Sequence, residues 1–207
     1  NEIRILLSKH ISVFFLFILS GLILEKIIRL ISNNVNISRL SAILYLLYPY
    51  LLGHSFFNIK DIPFLSIWLV CTYCLINISK VFFEKQIIRI KDILILSLFT
   101  AFLMSIRVAG VLIFVQYLIF ILTLTTFMKI NLLDFFKIFY KKFLISFFLT
   151  LAVFILLQPS YWQNPLFIID GIIFMSQHLQ TVCTITLGEC MKAQNLPSSY
   201  LPLWFFF

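Results

Sequence analysis

The run from residue 93 to residue 127 carries one charge, Arg107. At about 1.5 Å per residue, an unbroken helix over it is far longer than a bilayer core of about 30 Å is thick. The run therefore predicts two spans, with a tight turn near Arg107 and Gly110. Further apolar runs cover 11–24, 40–57, 62–79, 143–158 and 201 onward. They are continuous and do not alternate, which reads as helices in lipid and not as strands. Of the 207 residues, 62% are hydrophobic, 25 are Phe, and mean hydropathy is +1.07. A soluble domain of this length has too little interior to hide that much apolar surface. The expected fold is all-α, a polytopic transmembrane helix bundle with about six to seven spans. It reads as one membrane domain, with loops at 53–61 and 159–199 on one face and no internal repeat. The chain starts at Asn1 and stops at Phe205-Phe206-Phe207 inside an apolar run, so it reads as a piece cut at both ends. No signal peptide is visible.

Net charge is +8. In a soluble protein such a balance points to nucleic acid; here topology explains it. Lys26, Arg29 and Arg39 fall in 25–39, Lys80, Lys85, Arg89 and Lys91 in 80–92, and Lys129, Lys137, Lys141 and Lys142 in 128–142. Together these are eleven of the 16 basic residues. If 93–127 is a hairpin, all three segments share one side, which the positive-inside rule makes cytoplasmic. A single span there would set strongly basic loops on opposite sides. The other, extracytoplasmic side receives the 58–61 turn, the Arg107 turn and the loop from Pro159 to about Ser199. The short segment 166–175 is expected to lie in the interface plane. The expected localisation is integral membrane, with the candidate site on the extracytoplasmic face.

The candidate site residues collect on that face: His54, Asn58, Lys60, Asp61, Arg107, Tyr161, Trp162, Asn164, His178 and Glu189. Charged groups at the edge of a bilayer are costly unless they meet a partner or an aqueous cavity, which makes them a site by default. Asp61 is the catalytic candidate, with the plain alternative of a helix N-cap before Pro63. Lys60 and Arg107 suit an anionic group, Arg as a planar fork and Lys as a point charge. The alternative for Arg107 is snorkelling. Tyr161 and Trp162 read either as an aromatic belt or, with Asn164 and the flanking prolines, as a rigid cavity wall. His178 stands alone, a pattern more often structural than catalytic.

No cluster has metal-ligand spacing, and Cys71 and Cys74 lie inside a span, so their spacing is not a redox motif. Cys183 and Cys190 lie on the outer side, where a disulfide is permitted. Asn36 and Asn77 open Asn-x-Ser triplets, but on the cytoplasmic side or within a span they are no glycosylation acceptors. Walker A, G-x-G-x-x-G and G-x-S-x-G patterns are absent. A transferase built this way takes its activated donor from the membrane and not as a free nucleotide sugar.

Arg39-Leu-Ser-Ala, Pro49 and the stretch Gly53-His-Ser-Phe-Phe-Asn-Ile-Lys-Asp-Ile-Pro-Phe64 resemble an outer-loop region of the GT-C glycosyltransferases. The likeness is to their bacterial protein-O-mannosyltransferase-like branch. Gln158-Pro-Ser-Tyr-Trp-Gln-Asn-Pro165, Leu187-Gly-Glu189 and Leu196-Pro-Ser-Ser-Tyr-Leu-Pro-Leu-Trp204 are similar to its downstream loop. The Asn-x-Lys-Asp-x-Pro-Phe core is the more specific part.

The resemblance implies an enzyme in the inner (plasma) membrane of a bacterium, its active face extracytoplasmic, moving a sugar from a polyprenyl-phosphate-linked donor to a protein, lipid or glycan acceptor. Asp61 would match the family's acidic residue in the second outer loop. The acidic residue of its first outer loop would lie upstream of Asn1, with Arg4–Ser12 as the end of that loop, so the fragment by itself is expected to be inactive. No cofactor is firmly implied, and a divalent metal is left open. Membrane lipids are expected partners and nucleic acid is not. The alternative is a multispan transporter or lipid flippase, for which intramembrane charge and a broken helix are suited. That reading expects pseudo-symmetric halves and polar groups near mid-membrane.

Overall fold

The computed structural model describes residues 2–85, 87–164, 169–170, 173, 183–186, 189–192 and 197, without the side chains of 2–6, 183–186, 189 and 192. The chain divides into two compact units, Asn1–Gln158 and Pro159–Phe207. The first is built of helices.

Helix α1 (Glu2–Ser32) ends where Asn33 takes a left-handed φ of 51°. Asn34 then caps α2 (Val35–Leu47), its side chain accepting from the backbone N–H groups of Asn36 and Ile37 at 2.9 and 3.2 Å. Two residues thus reverse the chain, since asparagine tolerates both the left-handed region and the N-cap. α2 returns along α1. Ser20 and Tyr45 hydroxyls meet at 2.8 Å, and the Phe17 and Tyr45 rings lie 5.3 Å apart. At Pro49 the missing N–H and the extended conformation forced on Tyr48 interrupt the helix. α3 (Pro49–Ser55) leaves at 61° to α2.

Helix α4 (Asp61–Lys85) packs on α1 through Val13, Phe17 and Ile62. α5 (Ile90–Ile106) is bordered by charge, with Arg89 bonded to Asp92 through two nitrogens at 2.7 and 3.2 Å. A 3₁₀ turn, Val108–Leu112, leads into α6 (Ile113–Met128), and α7 (Leu132–Leu157) closes the unit. α5 lies between its neighbours. Ser97 bonds Ser146 of α7 at 2.7 Å, and Thr100 bonds Tyr117 of α6 at 2.7 Å. Phe82, Phe135 and Phe139 seal α4 against the start of α7, with rings 5.6 and 5.7 Å apart.

Two contacts define the ends of the bundle. Gln158 Nε2 donates to Ser105 O at 2.8 Å beside the Arg107 turn, and Lys142 Nζ donates to Ile88 O at 2.6 Å at the opposite, basic end.

Among the described residues, four helices are long and apolar enough to cross a membrane: Leu7–Ser32, Asp61–Lys85, Val108–Met128 and Leu132–Leu157. The bent pair α2–α3 makes a fifth if it counts as one span. By length and composition the chain is an integral membrane protein. The expected six to seven spans are corrected to four or five among the described residues. The run 93–127 is broken at Arg107, as its length requires, into α5 and α6. Its first arm, however, has 17 residues, about 26 Å at 1.5 Å per residue, short of a bilayer core of about 30 Å. The run from 201 onward lies outside the described residues.

Arg4–Ser12, expected as loop, continue α1 as helix. Lys137, Lys141 and Lys142, expected in a loop, stand on α7, because Phe135, Phe139 and Phe143 give that stretch a buried face at helical spacing.

The described residues are nearly all helical, as expected; the second unit carries the one local departure among them. Its described residues include a 3₁₀ turn, Pro159–Tyr161, and an antiparallel pair of strands, β1 (Cys183–Thr186) and β2 (Glu189–Lys192). Cys183 pairs with Lys192 and Thr186 with Glu189. The β-branched run Thr184-Ile185-Thr186 favours a strand over a helix. Cys190 is disulfide-bonded, whereas Cys71 and Cys74 are free. The side chain of Cys183, the partner allowed by the sequence, lies outside the described residues.

Candidate functional site

The link from α3 to α4 is short and polar, and Asn58 organises it. Its Oδ1 accepts the backbone N–H of Asp61 at 2.8 Å and of Lys60 at 3.2 Å. Its Nδ2 donates to Asp61 Oδ2 at 2.8 Å and meets His54 Nδ1 at 3.0 Å. An amide has two donor hydrogens and two acceptor lone pairs, so all four capacities are spent within the protein. Asn58, expected to bind substrate, is in this structure a positioning residue. With Nδ1 of His54 accepting, the imidazole proton sits on Nε2. The His54 ring is held between Tyr50 and Phe57, with centroids 4.3 and 5.0 Å away.

The N-cap alternative for Asp61 does not hold. The Lys60 carbonyl opens the ladder of α4 by accepting from Phe64 N–H at 3.1 Å, and Asn58 supplies the side-chain oxygen for the first N–H groups. Asp61 is the first residue inside the helix. Its carboxylate is left to side chains: one oxygen takes Asn58 and the other forms an ion pair with Arg107 Nη1.

Arg107 reaches Asp61 because of the break between α5 and α6. It is extended (φ −148°, ψ 141°), and its carbonyl accepts Gly110 N–H at 2.9 Å to start the 3₁₀ turn. Gly110 is required there. A Cβ on it would lie 2.8 Å from Leu103 O and from Met104 Cα. The snorkelling alternative for Arg107 is replaced by a defined partner 46 residues away.

The Asp61 and Arg107 side chains are 48% and 45% exposed. Pairs so open are worth about 0–1 kcal/mol. As a pin between α4 and the turn this pair adds little, and its groups stay accessible to an incoming anion or hydroxyl. Lys60 is exposed, and among the described residues its ammonium has no hydrogen-bond or ion-pair partner. An open depression of about 270 Å³ adjoins the same loop, lined by Ser8, Lys9, Ser12, Val13 and Ile59. Neither Lys60 nor Arg107 is among its walls, so the two cations do not share it.

His54, Asn58, Asp61 and Arg107 are thus brought together, with Lys60 adjacent in the chain. Tyr161, Trp162 and Asn164 belong to the second unit, where Trp162 N–H donates to Pro159 O at 3.2 Å and the indole is exposed. Glu189 opens β2, with its side chain outside the described residues. His178 and most of 166–175 lie outside them too. Among the described residues no three His, Cys, Asp or Glu side chains gather as metal ligands.

Two features escape the sequence reading. Lys9 adds a cation to the depression beside the loop. Gln116 ties two helices together below it: its Oε1 accepts Trp68 Nε1–H at 2.6 Å, and its Nε2 donates to Thr72 Oγ1 at 3.0 Å. An amide inside an apolar run is itself the signal, since lipid offers it no partner.

Compared with known proteins, the chain matches no family model, no curated protein and no solved structure.

Proposed function

We propose that this chain belongs to a membrane glycosyltransferase that moves a sugar from a polyprenyl-phosphate-linked donor to an acceptor hydroxyl. One observation carries the reading. A carboxylate, Asp61, is fixed by Asn58 and paired with a guanidinium, Arg107, at one end of an apolar bundle. The motif resemblance around Asn58-Ile-Lys-Asp61 supports it.

In this reading Arg107 has two anionic partners in turn. At rest it neutralises Asp61. When the donor arrives, its phosphate oxygens compete for the guanidinium, which binds them through two parallel hydrogen bonds. The exchange releases Asp61, whose free carboxylate accepts the proton of the acceptor hydroxyl as that oxygen attacks the anomeric carbon. The leaving phosphate carries away the electrons of the breaking bond, with Arg107 and Lys60 stabilising its charge. Asn58 keeps the carboxylate aimed throughout.

A transporter remains the competing reading, favoured by the 61° break between α2 and α3. Release of polyprenyl phosphate from a labelled polyprenyl-phosphate sugar, measured in native membranes, separates the two without knowledge of the acceptor. The expected result is sugar-dependent release, with Asp61→Asn lowering the rate by about 100-fold or more. Equal release by Asp61→Asn and the parent protein overturns the assignment of Asp61. Movement of the intact donor across the bilayer without release favours the transporter.

A further inference from the structure

A groove of about 330 Å³ lies among α4, α5, α6 and α7, within the size range of small-molecule sites. Its walls run from Ile88 at the basic end to Phe114, and include neither Asp61 nor Arg107. Thr100, Tyr117, Ser146 and Thr150 contribute hydroxyls, but each is already bonded. Thr100 and Tyr117 bond each other, Ser146 bonds Ser97, and Thr150 donates to the Ser97 carbonyl. What the groove offers a ligand is therefore hydrocarbon. Leu118 and Phe147 on its walls are 51% and 59% exposed, so it opens on the side where lipid lies.

At the basic end a cation overlooks this groove. Lys142 immediately precedes the wall residue Phe143, and its Nζ donates to the carbonyl of the wall residue Ile88 at 2.6 Å. The ammonium stands 5.2 Å from the centroid of the Phe139 ring, which fixes its place. It has three hydrogens, and one is used. The neighbouring Arg89 is neutralised by Asp92. Lys142 is left as a positioned charge with donors to spare beside an apolar slot.

We propose that this groove and Lys142 form a binding site for an anionic glycerophospholipid, one acyl chain in the groove and the headgroup phosphate on the ammonium. Charge selects the ligand class: a net-negative headgroup keeps its attraction to Lys142, whereas a zwitterionic one cancels most of it. The inference does not depend on the glycosyltransferase reading, whose donor phosphate belongs at the Asp61 end.

Phosphatidylglycerol and phosphatidylcholine with identical chains test it, their retention on the detergent-purified protein being read by native mass spectrometry. A lysine near a membrane surface favours anionic lipid by about fivefold, and at least that preference is expected. Lys142→Gln should abolish the preference and Lys142→Arg should keep it. Leu118→Trp, which narrows the slot from its lipid-facing side, should weaken both lipids. Equal retention of the two lipids by the parent protein overturns the proposal. So does an unchanged preference in Lys142→Gln. Loss of the preference in Arg107→Gln, with Lys142→Gln unaffected, places the headgroup at the other end and also overturns it.

Discussion

Asp61 sits where two roles compete, helix start and reactive carboxylate, and Asn58 decides between them by taking the first. Asn58→Asp separates these functions. Aspartate caps about as well as asparagine, so the start of α4 should persist, with a change in thermal midpoint small beside that of Asn58→Ala. The new carboxylate, however, replaces an Nδ2 donor that stands 2.8 Å from Asp61. It repels where the amide held, so sugar transfer should fall while the fold remains. Asn58→Ala removes the cap as well and should cost about 0.5–2 kcal/mol, read as a lower melting temperature in detergent. Arg107→Gln addresses the other partner. As an open ion pair, Arg107–Asp61 contributes about 0–1 kcal/mol to folding. As a phosphate ligand, Arg107 supplies charge-assisted bonds worth roughly 1.5–3 kcal/mol each. The variant should weaken donor binding by about one to two orders of magnitude, with acceptor affinity and melting temperature near normal. A large drop in melting temperature with unchanged donor affinity would make the pair a structural tie. Much of this site was legible in the sequence, because His54, Asn58, Lys60 and Asp61 are polar groups between apolar runs. Their division of labour was not. Which oxygen caps a helix depends on where the first turn begins, and Pro63 pointed one residue off.

At the level of elements, what could be read depended on whether a physical limit was exceeded. The run 93–127 is too long for one span, so its break at Arg107 was forced, and it is found there. The run 40–57 breaks no length rule, so only Pro49 marks the bend at Tyr48-Pro49, and a lone proline does not fix whether a helix bends or ends. The start of α7 was hidden for another reason: its lysines look like loop, but their long stems let the charges face water while Phe135 and Phe139 pack inward. The break between α5 and α6 carries its own prediction. Gly110 is buried, and a Cβ there meets the backbone at Leu103 and Met104, which cannot rotate away. Gly110→Ala should therefore shift the turn and cost about 1–3 kcal/mol. It should also move Arg107 off Asp61, so activity is lost alongside stability. Ala109→Gly, one residue earlier on the exposed side, serves as the control. Equal melting temperatures for the Gly110 variant and the parent protein would show that the turn tolerates a side chain.

For the whole molecule, the arrangement follows from charge. Lysines and arginines avoid translocation, so the end of a bundle that carries them stays on the side of synthesis. Lys142 binding the Ile88 carbonyl and Gln158 binding the Ser105 carbonyl mark opposite ends of the first unit, and the basic residues of 80–92 flank the former. If the helices alternate in direction, that rule predicts the Asp61–Arg107 pair on the extracytoplasmic side. This placement needs α5 to cross as well, although its 17 residues leave it outside the four or five spans counted by length; it then holds whether or not the bent pair α2–α3 crosses. Single cysteines introduced at positions 137 and 192, in a background lacking the free thiols of Cys71 and Cys74, read out the orientation. A membrane-impermeant maleimide added to intact cells should label position 192 and leave position 137 unmodified until the membrane is opened. Labelling at 137 with none at 192 would invert the bundle. Asp61 and Arg107 would then face the cytoplasm, where a polyprenyl-linked donor presented on the outer leaflet is out of reach, and the glycosyltransferase reading would fall with the topology.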